Sequence, residues 1–295
     1  MMARTFFVAL TTGLITLAGL GVRDAAGQPA ARAAGPPPLR AGAFKDPLPP
    51  APAGKTWQLV FEDNFDGRTI DTTKWSVRGD HPRKSGWWMK SACTTDGMGH
   101  LRIRTKVVDG KVTSGAIDTA GKFEHTYGYW VCRARIPKAT GFWAAFWLMS
   151  PGVSKVGDDG RDGTEIDICE LPRRDGTVNY ALHWDGYGPE HKVKGSEVKA
   201  PEILRDWATH SLLWTPEEYV FYLNGKETWR SKDGGVSQVP SHAIVSTEVG
   251  TWAGAIVPDA LPDEFVVDYV RVYDLKEGWK TPAAQAPPTQ PPASR

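Results

Sequence analysis

Glu165-Ile166-Asp167-Ile168-Cys169-Glu170 is the stretch on which the fold and the site both turn. Apolar and acidic residues alternate through its first four positions, the period of a strand with one face in a core. Glu165 and Asp167 therefore point the same way. Glu170 stands five residues after Glu165, and an unbroken strand would turn it to the opposite face. One extra residue at Ile168–Cys169, a β-bulge, restores the parity and aims Glu170 beside the other two. The intervening Ile, Ile and Cys belong in a core, not on a strand wet on both sides. Three carboxylates on one face repel one another, and such crowding is typical of sites where acids do chemistry. The bland alternative is a solvated strand face or an acidic turn.

Outward from this run the chain is written in short alternating segments. Trp57–Phe61, His100–Arg104, Tyr127–Ile136, Tyr219–Leu223 and Glu264–Tyr273 all read as strands, and helical periodicity is nearly absent. Turn pairs fall between them, among them Asp66-Gly67, Asp96-Gly97 and Asp175-Gly176. Asp109-Gly110 and Asn224-Gly225 each separate two β-rich runs and predict tight hairpins. Pro201–Leu204 predicts a single helical turn. The expectation is an all-β sandwich of two antiparallel sheets.

Both ends subtract from the fold. Residues 1–27 combine a basic start, the apolar run Phe6–Val22 and small residues after it, and read as a secretory signal peptide. Residues 28–54, rich in Ala, Pro and Gly, read as an extended linker that does not join a core. Residues 281–295 repeat that composition as a disordered tail. The catalytic domain is expected over 55–280, with the mature chain secreted to the periplasm or outside the cell, off the membrane, and monomeric.

Thirty-five Lys and Arg stand against 34 Asp and Glu, a formal net charge of +1, so nothing suggests a nucleic-acid partner. Cys93, Cys132 and Cys169 allow at most one internal bridge, and no Cys/His spacing resembles a zinc site. The 13 Trp carry more information, several of them near Gly-rich turns. In an exported protein that fits a groove in which sugar rings stack on indole faces. Trp143, Trp147, Trp184 and Trp252 are the candidates for substrate binding.

These motifs together resemble glycoside hydrolase family 16, the laminarinase, agarase and carrageenase group. The acid run is similar to the bulged form of that family's Glu-x-Asp-x-x-Glu signature. Tyr127–Arg135, Gly141–Leu148, Trp214-Thr215-Pro216 and Val267–Tyr273 resemble its flanking strands. Val131, Ala144 and Asn224 depart from the common pattern without touching the acids. The resemblance implies a β-jelly roll whose concave sheet forms an open cleft. It also implies retaining hydrolysis inside a β-linked polysaccharide, with no cofactor for catalysis. Parity and spacing do not say which glutamate attacks; the family pattern puts the nucleophile first, at Glu165, with Glu170 as acid/base and Asp167 orienting Glu165. Carboxyls roughly 5–5.5 Å apart suit such a route. His183 is expected to donate to Glu170 or to a sugar hydroxyl, or else to be structural. Arg133 either bridges to a cleft acid or serves as an exposed ion-pair partner. Family members often hold a structural calcium, for which Glu62 or Asp63 with Asp268 is the candidate set.

The polymer most in keeping with this reading is β-1,3-glucan. The rival is an agar-, porphyran- or carrageenan-type galactan, for which Arg83, Lys84, Arg173 and Arg174 are available cations. A carbohydrate-binding jelly roll without catalysis is the alternative from a different class, and a transglycosylase shares the same chemistry.

Overall fold

Alternation in Phe142–Met149 organises the molecule. Every residue but the last is buried, yet the two faces pack differently. Ala144, Phe146 and Leu148 enter the large core between two sheets. Trp143, Ala145 and Trp147 join Trp88, Ala116, Ile244 and Ala253 in a second cluster on the other face. A strand buried on both faces is central, and this one is fourth of seven in its sheet. Complete burial of a side chain such as Phe146 or Leu148 contributes about 1.5–3 kcal/mol.

The computed structural model describes residues 45–280. They form an all-β sandwich, a jelly roll with a seven-stranded sheet facing an eleven-stranded one. The seven-stranded sheet runs Lys192–Lys199, Thr177–Trp184, Glu165–Leu171, Phe142–Met149, His242–Val249, Ala116–Asp118 and Ser76–Arg78. Its exposed edge strand carries Lys192, Lys194 and Lys199, charges that discourage pairing with another chain. In the opposing sheet Gly128–Arg135 lies between Ala208–Trp214 and the long strand Asp263–Leu275.

Both predicted hairpins form. Asp109-Gly110 and Asn224-Gly225 hold positive φ at both residues, at 49° and 73° and at 51° and 77°. That is the turn type whose twist matches the flanking strands. Pro201–Leu204 is a single 3-10 turn. Cys93, Cys132 and Cys169 are buried and free.

One boundary differs from the sequence reading. The linker expected over 28–54 does not stay clear of the fold at its end. Asp46 is buried and accepts hydrogen bonds from Tyr269 (2.5 Å), Tyr273 (2.6 Å) and Arg271 (3.0 Å). Leu48 packs against an aromatic cluster that includes Tyr129, Trp57 and Tyr222. The prolines of this segment lack an N–H but keep their carbonyls, and Trp57 Nε1 donates to that of Pro49 at 2.8 Å. The signal peptide, the rest of the linker and the tail lie outside the described residues.

Candidate active site

The strand Glu165–Leu171 carries the bulge. Against Phe142–Met149, Cys169 pairs with Phe146 and Asp167 with Trp147, so Ile168 has no partner. The ladder to Thr177–Trp184 shifts between the same residues. Ile166, Ile168, Cys169 and Leu171 all enter the core between the sheets. Ile168 and Cys169 are consecutive and point the same way, which is the parity change a bulge produces. Glu165, Asp167 and Glu170 consequently line one open cavity of about 790 Å³, with Lys84, Trp143, Asn179, His183, Tyr187, His191, Glu197 and Trp252 around it.

The acids differ in their surroundings. Burial, then the charge of Asp167, holds the Glu170 carboxyl well above the usual carboxylate range, opposed by a hydrogen bond from Trp143. That bond runs from Nε1 to Oε1 at 3.0 Å. Burial and the neighbouring Glu165 push Asp167 up as well. Asp167 Oδ2 lies 3.3 Å from His183 Nε2, and His183 Nδ1 lies 2.9 Å from His191 Nε2. Glu165 accepts a hydrogen bond from the Tyr187 hydroxyl. Ligating atoms of Glu165, Asp167 and His183 gather within 4.8 Å of one another, and these hydrogen bonds occupy them.

The tryptophans sort by strand parity. Trp143 lines the cavity, but Lys84 sits 5.4 Å from its ring centroid and Trp252 meets it edge-on at 5.2 Å. Its indole faces are covered, and its contribution is the N–H toward Glu170. Trp147 is packed into the floor and donates to Ser246 at 3.1 Å. Trp252 is 48% exposed and offers the open aromatic face. Trp184 is not in the cleft. It follows His183 on one strand, so it faces the opposite way and packs in the core between the sheets.

Other expectations also change. His183 meets Asp167, not Glu170. Arg133 belongs to the opposing sheet, where it pairs with Asp268 at 2.5 Å and lies 5.0 Å from the Trp207 ring; strand parity turns it away from the interior. The calcium set does not fit a cation. Asp268 faces that guanidinium, and Glu62 lies 3.3 Å from Arg271 Nε. Asp63 takes N–H donors from Phe65 and Trp75, each at 2.8 Å. An oxygen cage for calcium needs such carboxylates free to converge. Arg173 pairs with Glu197, and Arg174 donates to the carbonyls of Ala139, Leu171 and Phe142, so neither is a free cation in the cleft.

Residues missed in the sequence complete the site. Glu248 pairs across the ladder with Trp143 and is buried beneath the cleft, where Arg83 grips it through two bonds of 2.9 Å. The Arg83 bond opposes the upward pull of burial on its carboxyl. Its place four residues before Trp252 was the available signal. Tyr187 comes from the turn after His183 and gave none beyond its neighbours.

An all-β sandwich with carboxylic acids grouped along an open groove is the architecture of an enzyme acting on polysaccharide chains. The profile of Glycosyl hydrolases family 16 matches residues 82–271, and the chain belongs to that family. It is similar to glucan endo-1,3-beta-glucosidase A1 of Niallia circulans, 28% identical with 77% of this chain covered, though it spans only 39% of that protein. It is likewise 28% identical to a beta-glucanase of Rhodothermus marinus, covering 74% of this chain and 85% of that one. The solved laminarinase from Rhodothermus marinus superposes with a TM-score of 0.65 at 26% identity, over 75% of this chain and 98% of that one. The chain is thus a glycoside hydrolase by family and is similar to endo-β-glucanases.

Proposed function

We propose that this protein is an exported retaining endo-β-glycosidase whose first substrate is β-1,3-glucan. The observation that carries the reading is the Ile168 bulge, which sets Glu165, Asp167 and Glu170 along one cavity wall. Burial, then the charge of Asp167, raises the Glu170 pKa and so favours the protonated state a general acid needs. Glu165 attacks the anomeric carbon while Glu170 gives its proton to the departing oxygen. Water then attacks the same carbon, Glu170 takes the water's proton, and the ester bond to Glu165 breaks. Asp167, bridged to His183, stands beside Glu165 on the same face. Trp252 supplies the stacking face. Export is supported by the apolar run near the N-terminus.

Glucan is favoured over a sulfated galactan by the state of the cleft cations. Of the four candidate cations, Arg83, Arg173 and Arg174 are already engaged by Glu248, Glu197 and backbone carbonyls, which leaves Lys84, over the Trp143 ring, as the cation lining the cavity. The binding-module reading has no use for a buried acid group that repels itself. The test is digestion of laminarin, lichenan, agar, porphyran and carrageenan in parallel, reading released reducing ends, with the anomer of the first product followed by NMR. Laminarin cleavage giving the β-anomer first is expected. Release from galactans alone, or the α-anomer first, overturns the corresponding part. Products longer than the starting oligosaccharide would identify transfer rather than hydrolysis.

A further inference from the structure

Tyr187 holds a place that the double displacement, as drawn above, does not use. Its hydroxyl donates to Glu165 Oε2 and lies 3.8 Å from Met149 Sδ, while its ring is 5.7 Å from that of His191. The turn that delivers it is fixed. Asp185 and Gly186 hold left-handed φ of 57° and 76°. The Gly186 N–H donates to the Val153 carbonyl at 2.7 Å, and the buried Asp185 carboxylate pairs with Lys192 at 2.8 Å. Partial burial, and then the charge of Glu165, raise the phenol's pKa, which favours its donating form.

We propose that Tyr187 is a positioning residue for the nucleophile that acts mainly in the second half of the reaction, an inference that rests on the retaining mechanism above. With Oε2 held by the phenol, Oε1 is the oxygen left to attack. As the ester forms, its lone pair becomes the new carbon–oxygen bond, the glycosidic bond breaks toward the leaving oxygen, and that oxygen takes the proton of Glu170. Oε2 is now a neutral carbonyl oxygen, a poorer acceptor than a carboxylate. When water attacks, the carbon–Oε1 electron pair returns to Glu165 and the phenol bond regains its full strength. Tyr187 thus favours the free carboxylate over the ester. Its hydroxyl speeds ester breakdown and slightly opposes ester formation, since it stabilises the carboxylate from which that step starts.

The test is Tyr187→Phe, which keeps the ring and removes the donor. With a dinitrophenyl β-laminarioligoside the departing group is good and ester breakdown limits the rate. The expected result is a kcat about tenfold lower, ~1.4 kcal/mol of barrier, with KM falling in parallel and kcat/KM within about twofold of wild type. Intact-mass analysis of the acid-quenched variant should show the added glycosyl group. The residue is 55% exposed, so an unchanged melting temperature is expected. Parallel loss of kcat and kcat/KM without an adduct, a rise in KM alone, or no change overturns the assignment. A wild type inert on every polysaccharide of the panel removes the parent reading and this one with it. An active wild type that leaves the α-anomer first removes the ester itself.

Discussion

Deleting Ile168 tests the parity argument on which the site depends. In the native ladder Ile168 is the residue without a partner opposite Phe146 and Trp147, and Tyr180 alone faces the two residues Ile168 and Cys169 on the other side. Removing it lets Cys169 pair with Phe146 and with Tyr180, gives both ladders unbroken register, and leaves the last glutamate on the cleft face. The loss is a fully buried isoleucine side chain, about 2–5 kcal/mol. Two repaired pairings return about 0.5–1.5 kcal/mol each. The net loss centres on about 1.5 kcal/mol and does not exceed about 4 kcal/mol, and the central value lowers the melting temperature by about 3–6 °C in a domain of this size. The glutamate moves along the strand, and a displacement of about 1 Å costs about a hundredfold in rate. Inserting one alanine after Cys169 is the contrasting change, because it drives the Glu170 carboxyl toward Phe146 and Leu171. Thermal melts and reducing-end assays on both variants read the outcome. A folded deletion variant as dead as the insertion would refute the claim that side-chain parity, rather than the bulge itself, builds the site.

Three further outcomes follow from the same geometry. Trp143→Phe removes a donor that favours ionised Glu170, so the alkaline limb of the kcat/KM profile should move to higher pH; a shift downward contradicts the role given to that indole. Glu170→Gln should lower kcat by about 10²–10⁴-fold, yet raise the melting temperature at neutral pH. The native carboxyl is raised above its unfolded value, so its contribution to stability falls as pH rises from the unfolded pKa toward the folded one. Scans at several pH values should show the gain vanishing below about pH 4, where both states of the wild type are protonated. Arg174→Lys should cost about 2–3 kcal/mol, because an ammonium does not reproduce the planar fork that holds three carbonyls. Denaturant melts check that value, and an unchanged midpoint contradicts it.

Much of this was legible because strands alternate with a fixed period. That rule found the bulge from three acids and two core residues, and it placed the hairpins from Asp-Gly and Asn-Gly. Applied consistently, it would also have separated His183 from Trp184, which are adjacent and cannot share a face. Arg133 shows the limit of the rule. Parity assigns a side chain to a face, but nothing within Gly128–Arg135 says which of the two sheets the strand joins. Tyr187 and Glu248 were hidden for related reasons, since one reaches the acids from a turn and the other across a ladder set by distant pairing. Trp143 was read as a platform because an indole is both a flat ring and a donor, and only its neighbours decide which property is used. The surroundings of Glu62 and Asp268 were hidden on the same ground, as the arginines that meet them lie on other segments.

The anchoring of Asp46 decides where the folding unit starts. A chain trimmed to begin at Lys55 would keep every strand and every cleft residue. It would nevertheless remove the nearer of the two carboxylates that face Arg271, Asp46 at 3.0 Å, and uncover a belt of rings that includes Tyr129, Tyr222 and Tyr273. Bared aromatic patches of this kind drive self-association. A shortened enzyme could therefore cut its polymer normally and still precipitate on storage, a failure originating on the side of the sandwich away from its chemistry.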